Sequence, residues 1–204
     1  CSLLFVLLKK MKKFHKIVSF VLQPLFMPVF GMILLVNMDL FSVFTFGWKL
    51  NAVLVTFVFT ALAPAAPILL LMSRGKIRDL FISKREERTM PYLFSFISYL
   101  FWTLFLWKIL GFPLSLVAMG IGASISILII TIINLRWKIS AHMSGIGGLA
   151  GGIFGICYRL AFNPVWLFVI ILSLSALVAL SRIELKAHTP GQTLAGFSVG
   201  FTAV

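Results

Sequence analysis

Acidic residues are scarce in this 204-residue chain, which has 5 Asp and Glu against 18 Lys and Arg, a formal net charge of +13. The acids do not form the paired aspartate motifs that bind magnesium diphosphate, and none lies in the middle of an apolar run. The two cysteines, Cys1 and Cys157, have no metal-ligand spacing and form no disulfide framework. No Walker loop or zinc motif is present. These absences argue against a magnesium prenyltransferase, a P-loop ATPase and a zinc enzyme, and we expect no cofactor.

Apolar residues dominate the chain, at 61% of the sequence and a mean hydropathy of +1.10, whereas about half of a soluble domain is apolar. Because about 20 apolar residues span a bilayer, six runs qualify: Ile17–Val36, Leu50–Met72, Tyr92–Leu110, Leu114–Ile133, His142–Leu160 and Pro164–Leu180. A seventh run, Thr193–Val204, is at the lower limit of length. We predict an all-α, polytopic integral-membrane helical bundle of six or seven transmembrane helices. Residues 1–16 form a basic N-terminal segment and residues 17–204 a single transmembrane domain.

The positive charges lie in short segments between the apolar runs, on one side of the membrane. The segment before the first run and the loops after the second, fourth and sixth are basic, whereas the opposite loops carry few charges. This pattern is typical of cytoplasmic loops beside anionic headgroups. We therefore predict membrane lipids and no nucleic acid as partners, in a multi-pass protein of a bacterial inner membrane whose basic side is cytoplasmic.

The fifth apolar run is rich in glycine, with Gly145, Gly147, Gly148, Gly151, Gly152 and Gly155. Two pairs of these glycines have the small-xxx-small spacing that lets helix backbones approach closely. One interpretation is tight packing inside the bundle, and the other is a homodimer formed through this face. The sequence leaves both open.

Three polar segments stand at ends of apolar runs on the basic side: Lys84–Pro91, Lys138–His142 and Ser181–His188. Ionisable groups at membrane depth are costly and usually mark function. Because all three segments lie on the same side, they can converge into one pocket. The side chains that would meet there are Arg88, Lys138, Ser140, His142, Arg182 and His188.

This set of side chains suits phosphate chemistry. Arginine grips phosphate oxygens with two parallel N–H donors, and a hydroxyl and backbone N–H groups at a helix start add further donors. Of two histidines, one can attack phosphorus while the other protonates the leaving oxygen. The pocket therefore suits hydrolysis of a phosphomonoester or pyrophosphate without a metal, since arginines supply the charge stabilisation.

The third polar segment resembles a known signature. Ser181-Arg182-x5-His188 is similar to Ser-Arg-x5-His-x3-Asp of the phosphatidic acid phosphatase type 2 superfamily. Gln192 stands where that signature has aspartate, and the run from His188 to Gln192 is similar to His-Thr-x-x-Gln of the dolichyl diphosphatase branch. A glutamine oxygen can still accept an imidazole N–H and fix its tautomer, although it stabilises imidazolium less than a carboxylate does.

The other two segments resemble the remaining signatures less closely. Ser140-Ala141-His142 is similar to Pro-Ser-Gly-His, with Ile139 in the place of the proline. Lys84–Pro91 is similar to Lys-x6-Arg-Pro, with Arg88 as its arginine. Phe81 rather than lysine lies seven residues before Arg88, so the lysine role would fall to Lys84, Arg85 or Arg78. The resemblance covers roughly residues 75 to 200.

The resemblance implies a role for each site residue. His188 would be the nucleophile that forms a phosphohistidine, His142 the general acid, and Gln192 the group that orients His188. The phosphate would be bound by Arg88, Lys84, Arg85, Lys138, Ser140, Ala141 and Arg182.

The implied function is a membrane phosphatase that acts on a lipid phosphate or diphosphate. Undecaprenyl diphosphate, phosphatidylglycerol phosphate, phosphatidic acid and lipid A phosphates all remain open as substrates, and Gln192 favours polyprenyl phosphates. The alternative is a non-catalytic relative that binds or transports a phospholipid with the same cationic pocket. Gln192 and the irregular first signature motivate that alternative.

Overall fold

The computed structural model describes residues 2–79, 82 and 84–204, and in these ranges the chain forms helices joined by short loops. Cys1 and Phe81 lie outside the described residues. In chain order the α-helices are α1 (Ser2–Val21), α2 (Met27–Val36), α3 (Phe46–Phe57), α4 (Ala63–Ser73), α5 (Thr89–Lys108), α6 (Leu114–Asn134), α7 (Ala141–Arg159), α8 (Val165–Glu184) and α9 (Pro190–Ala203). The predicted all-α polytopic bundle is confirmed.

Five helical segments of the described chain are long and apolar enough to cross a membrane: Lys9–Val36, Phe46–Ser73, Glu86–Lys108, Leu114–Asn134 and Val165–Glu184. They correspond to five of the six predicted full-length runs. The remaining run forms α7. Its many glycines contribute little to its hydropathy, although most of its residues are buried. The final, short run forms α9, and the basic N-terminal segment lies on α1 itself rather than in a separate unit.

Prolines interrupt the first two spans. Pro24 opens a short 3-10 turn between α1 and α2, because its ring removes a backbone donor that a continuous helix needs. In the second span a π-helical turn, Val58–Leu62, joins α3 to α4 just before Pro64. Thr60 in that turn donates a hydrogen bond to the Leu25 carbonyl at 3.4 Å, so the two interrupted spans are connected at these irregular turns.

The glycine-rich side of α7 packs against α9. A methyl group added at Gly147 or Gly151 would collide with the backbone carbonyl of Phe197 or Phe201. The contact is mutual, because Gly200 of α9 lies equally close to the Ser144 carbonyl of α7. Tight packing inside the chain is therefore what these glycines do here. A homodimer through this face stays a prediction, and α9 already occupies most of that face.

Candidate active site

The three polar segments meet through hydrogen bonds from buried groups. Arg88 is 4% exposed, and its Nε donates to the Ile82 carbonyl at 2.8 Å. Its Nη1 donates to the Ile139 carbonyl at 3.1 Å, which joins the first segment to the second. The backbone N–H of Ser140 donates to the Gln192 carbonyl at 3.3 Å and joins the second segment to the start of α9. The predicted convergence on one side of the bundle is thus what the fold produces.

His188 is oriented by Gln192. The Gln192 Oε1 atom lies 3.0 Å from His188 Nδ1 and 3.3 Å from the backbone N–H of Thr189. Because a backbone N–H can only donate, the Gln192 atom it contacts is the amide oxygen, and the hydrogen of the His188 pair must be on Nδ1. Nε2 of the neutral ring therefore has a lone pair, the state that a nucleophilic histidine requires.

The local sequence explains why Gln192 is in this position. Thr189 is the N-cap of α9, and its hydroxyl accepts from the Gln192 N–H at 3.4 Å. Gln192 is the third residue of the helix, so its side chain returns to the Thr189 N–H in a capping box. The same return places its oxygen beside the imidazole of His188. One glutamine therefore caps the helix and orients the histidine.

The end of α8 brings His188 beside Arg182. Lys186 has a left-handed backbone (φ 53°), which stops the helix and reverses the chain. The backbone N–H groups of Ala187 and His188 then donate to the Arg182 carbonyl at 3.0 and 3.2 Å. Arg182 and His188 are both buried, at 4% and 6% exposed. A six-residue spacing therefore produces a compact turn that brings the buried Arg182 and His188 close together, and His188 lines the cavity described below.

His142 lies in the first turn of α7 and is 7% exposed. Ser140 is the N-cap of that helix, and its hydroxyl accepts from the Met143 N–H at 3.4 Å. His142 Nε2 lies 3.0 Å from the carbonyl of Ser19 on α1. A carbonyl only accepts, so Nε2 carries the hydrogen and Nδ1 is the atom that can exchange a proton with a ligand.

Two of the predicted phosphate-binding residues, Arg85 and Lys84, lie away from the cavity described below. Arg85 Nη1 donates to the carbonyl of Leu135 at 2.6 Å and to that of Asn134 at 3.4 Å, where α6 ends, and its Nε donates to Glu86 at 3.2 Å. Lys84 is exposed. Of the predicted phosphate-binding residues, Arg88 and Ala141 line this cavity, whereas Lys84, Arg85, Lys138, Ser140 and Arg182 do not. Arg85 instead binds the backbone at the end of α6.

The electrostatic environment of the site is strongly positive. Burial, followed by the nearby Arg88 and Arg182, lowers the pKa of Lys138, which is therefore close to both arginines. Burial and then the charge of Arg88 lower the pKa of His188 to about 3, against a smaller opposing effect of the Gln192 hydrogen bond. His188 is consequently neutral at neutral pH. A site with this charge favours an anionic ligand and an unprotonated nucleophile.

A pH dependence of stability follows from the lowered pKa of His188. The unfolded state binds a proton near the ordinary pKa of 6.5, whereas the folded state does not until about 3. Folding is therefore destabilised progressively as the pH falls from about 6.5. We expect the melting temperature in detergent to fall less steeply between pH 7 and 4.5 in His188→Asn, which keeps a donor for Gln192. Parallel pH curves for wild type and variant would contradict this prediction.

The site opens into an elongated cavity of about 190 Å³. Its polar end is lined by Arg88, Tyr92, Ala141, His142 and His188, and its apolar end by Trp102, Leu106, Leu116 and Met119. Along α5 it reaches from Tyr92 to Leu106, a rise of about 20 Å at 1.5 Å per residue. That distance is most of the thickness of a bilayer's hydrocarbon core, about 30 Å.

Sequence analysis missed three residues at this site. Tyr92 follows Arg88 by one helical turn and lines the same cavity. Ser19 contributes only its backbone carbonyl, which no motif can reveal. His15 appears in the sequence as one more polar residue among lysines, but its Nδ1 lies 3.0 Å from the Ser181 hydroxyl. Only the position of Tyr92 relative to Arg88 could have been noticed in advance.

Within the described residues, no group of three or more His, Cys, Asp or Glu side chains is placed to hold a metal ion. Glu184, the acid nearest to Arg182 in sequence, is exposed. The oxygen beside His188 Nδ1 is that of Gln192.

A comparison with family models matches residues 134–204 to the PAP2 superfamily. The predicted resemblance is confirmed over this region, about a third of the chain, which contains the second and third signatures together with Gln192. Arg88 and the first signature lie outside the match. No curated protein and no solved structure matches the chain. Proteins of this superfamily are generally phosphatases, and the apolar helices are those of a membrane protein.

Proposed function

We propose that the protein is a lipid phosphate or diphosphate phosphatase that works through a phosphohistidine formed on His188. The observation that carries this proposal is the His188–Gln192 pair, which leaves the Nε2 lone pair of a neutral, buried imidazole available. His188 lines the same cavity as Arg88 and His142. A nucleophile, a proton carrier and an arginine around one cavity are the parts that metal-free phosphoryl transfer needs.

The reaction takes place in two steps. His188 Nε2 attacks phosphorus, the bond from phosphorus to the leaving oxygen breaks, and Nδ1 of protonated His142 gives its proton to that oxygen. Water then attacks the phosphohistidine, His142 takes a proton from the water, and the P–N bond breaks to release inorganic phosphate. His142 ends the cycle protonated, with the Ser19 carbonyl accepting its Nε2 hydrogen throughout.

The phosphate oxygens would be bound by groups from all three segments. Two backbone carbonyls hold the Arg88 guanidinium, which has five N–H donors in all and so retains donors for a ligand. Arg182 and Lys138 add positive charge from the other two segments. The hydroxyl of Ser140 and the Ala141 N–H at the start of α7 supply further donors.

The cavity supports a lipid rather than a soluble phosphate. Its polar end contains the reacting groups, and its walls beyond them are apolar down to Trp102 and Leu106. A hydrocarbon chain attached to a phosphate at His188 would fill this space. Its apolar surface would be removed from water, which favours binding in an apolar cavity. A polyprenyl phosphate or diphosphate is the substrate that we favour within this class, because of the His-Thr-x-x-Gln pattern.

Filling the middle of the cavity should separate lipid from soluble substrates. Ala123 of α6 lines the cavity, so Ala123→Phe would block the path of a chain while leaving the polar end intact. We expect the kcat/KM for a lipid phosphate to fall by about 10-fold or more, and that for p-nitrophenyl phosphate to change less than about 3-fold. The matched control is Ile125→Phe on the exposed side of the same helix, where Ile125 is 45% exposed. Equal losses on both substrates would contradict a chain-binding cavity.

The first test is phosphate release by purified protein in detergent, with a chelator present. The panel contains undecaprenyl diphosphate, phosphatidylglycerol phosphate, phosphatidic acid and lipid A, and it is run with wild type, His188→Ala and His142→Ala. Release by wild type that is lost in both variants supports the proposal and ranks the substrates. No release from any lipid would contradict it and favour a non-catalytic phospholipid-binding or transporting relative.

The orientation of the site is a further part of the proposal. The basic loops beside the site would lie in the cytoplasm of a bacterium, by the excess of Lys and Arg on that side. A cysteine introduced at the exposed Arg136 should then react with an impermeant thiol reagent in inside-out vesicles and not in intact cells. The reverse labelling pattern would place the site on the outer face.

A further inference from the structure

The helix α1 contacts both segments that carry the histidines of the site. In the sequence it lies outside the region that matches the family. Its His15 side chain pairs with the Ser181 hydroxyl of α8 at 3.0 Å. One turn further on, the Ser19 carbonyl accepts from His142 Nε2 of α7, also at 3.0 Å. His15 and Ser19 are four residues apart and therefore lie on the same face of α1. A single helix face thus contacts the segments that carry the two histidines of the proposed reaction.

We propose that His15 is a positioning residue for the reaction, and that α1 sets the two histidine-bearing segments relative to each other. This inference rests on the proposed phosphatase function. His15 does not line the cavity, so it acts through Ser181 rather than on the substrate. It lies well before residues 134–204, the part of the chain that the family comparison matches.

The path from His15 to the nucleophile is short and made of buried groups. Ser181 is fully buried and immediately precedes Arg182. The carbonyl of Arg182 accepts the backbone N–H of His188 at 3.2 Å. A displacement of Ser181 therefore also displaces the Arg182 carbonyl that holds the backbone of His188. The pairing across 166 residues ties α1 to the end of α8, where the turn to His188 begins.

Packing holds the His15 ring in place for this contact. Phe14 makes an edge contact with it, with ring centroids 5.5 Å apart. One turn away, the buried Val18 belongs to the same apolar cluster as Val178 of α8, which fixes the rotation of α1 against that helix. Lys12 and Lys16, by contrast, are exposed. The face of α1 that carries His15, Val18 and Ser19 is therefore the one that contacts the rest of the site. The exposed lysines of the same helix provide control positions.

The test measures kcat and KM in detergent for two probes, dioleoyl phosphatidic acid and p-nitrophenyl phosphate. In His15→Phe we expect kcat to fall about 10-fold and KM to stay within about 2-fold, because small displacements of reacting groups slow chemistry more than they weaken binding. His15→Asn keeps a polar group near the Nδ1 position and should recover most of the rate. Lys12→Gln, an exposed change on the same helix, should behave as wild type.

A double-mutant cycle with Ser181→Ala tests whether His15 acts on the reaction through Ser181. If His15 acts through Ser181, then His15→Phe, Ser181→Ala and the double variant lose about the same factor rather than multiplying their losses. Multiplied losses, or a wild-type rate in His15→Phe, would overturn the role of His15. If His15→Phe aggregates, His15→Ala takes its place in the cycle, because it also removes the ring that contacts the Ser181 hydroxyl.

The controls separate this inference from the function on which it rests. An inactive His188→Ala together with a fully active His15→Phe overturns only the positioning role. A wild-type protein that hydrolyses neither probe, nor any lipid of the panel, overturns the phosphatase proposal and the positioning role with it.

Discussion

Replacement of His188 by alanine should abolish turnover, with kcat at least about 10³-fold below wild type on any substrate of the protein. The reason is chemical, since the first step forms a P–N bond to His188 Nε2 and no other described histidine lies beside Gln192. Arg136→Ala is the matched control, because Arg136 is an exposed cation on the same side of the bundle. We expect it to keep the wild-type rate.

The covalent intermediate provides a second measurement of the same prediction. Wild type quenched in base during turnover should contain phosphohistidine, which is lost on acidification because protonation of the imidazole makes it a good leaving group. His188→Ala should contain none, while His142→Ala should accumulate it with p-nitrophenyl phosphate as the substrate. Turnover without a detectable phosphohistidine, or full activity of His188→Ala, would contradict the assignment of the nucleophile.

Replacement of His142 by alanine should have the second-largest effect, and its size should depend on the leaving group. An alkoxide leaves poorly without a proton, so we expect the first turnover of a lipid phosphate to slow by about 10²–10⁴-fold, the usual range for general acid catalysis. The p-nitrophenolate ion leaves without protonation. For p-nitrophenyl phosphate the first turnover should therefore slow by less than about 10-fold.

The rapid-mixing experiment distinguishes the two steps. With p-nitrophenyl phosphate, His142→Ala should release one equivalent of p-nitrophenol in a burst and then slow, because no base activates the water that cleaves the phosphohistidine. Ser124→Ala is a suitable control for a buried polar change, since the Ser124 hydroxyl donates to the Gly120 carbonyl of its own helix. Equal losses of the first turnover on both substrates would contradict a general acid role and would indicate a structural one.

The sequence allowed the helices to be predicted, together with the polar segments that the fold brings together. Runs of apolar residues reflect the membrane environment, so the predicted spans agree with the helices to within a few residues, apart from the breaks at prolines and the start of the first span, where α1 begins at Ser2 rather than at Ile17. The motif spacings placed His142, Arg182 and His188 at helix ends on one side. The resemblance to the third signature implied the pairing of Gln192 with His188, and the capping box at the start of α9 is what places the two side chains together.

The basic residues show where prediction from spacing failed. Lys84, Arg85 and Arg78 were equally suitable for the lysine of the first signature. The fold instead uses Arg85 to bind carbonyls at the end of α6 and pairs Arg78 with Glu87 at 3.8 Å. Lys138, from a different loop, is the lysine whose pKa is lowered by burial and then by the site arginines. The partner of a long Lys or Arg side chain depends on which groups the tertiary structure brings within its reach, and sequence spacing does not specify these groups.

The sequence by itself determined three features of this protein. The membrane-spanning helices follow from hydropathy, and the shared side of the polar segments follows from the even number of spans between them. The tautomer of His188 depends on a contact with Gln192, only four residues away. The tertiary structure decided the environment of His142 and the use of the glycines on α7. It also decided the part that α1 takes in the site. Those features depend on contacts between residues far apart in the chain, such as the 123 positions from Ser19 to His142. Such contacts leave no periodic pattern, since one of the partners is a backbone carbonyl that every residue possesses.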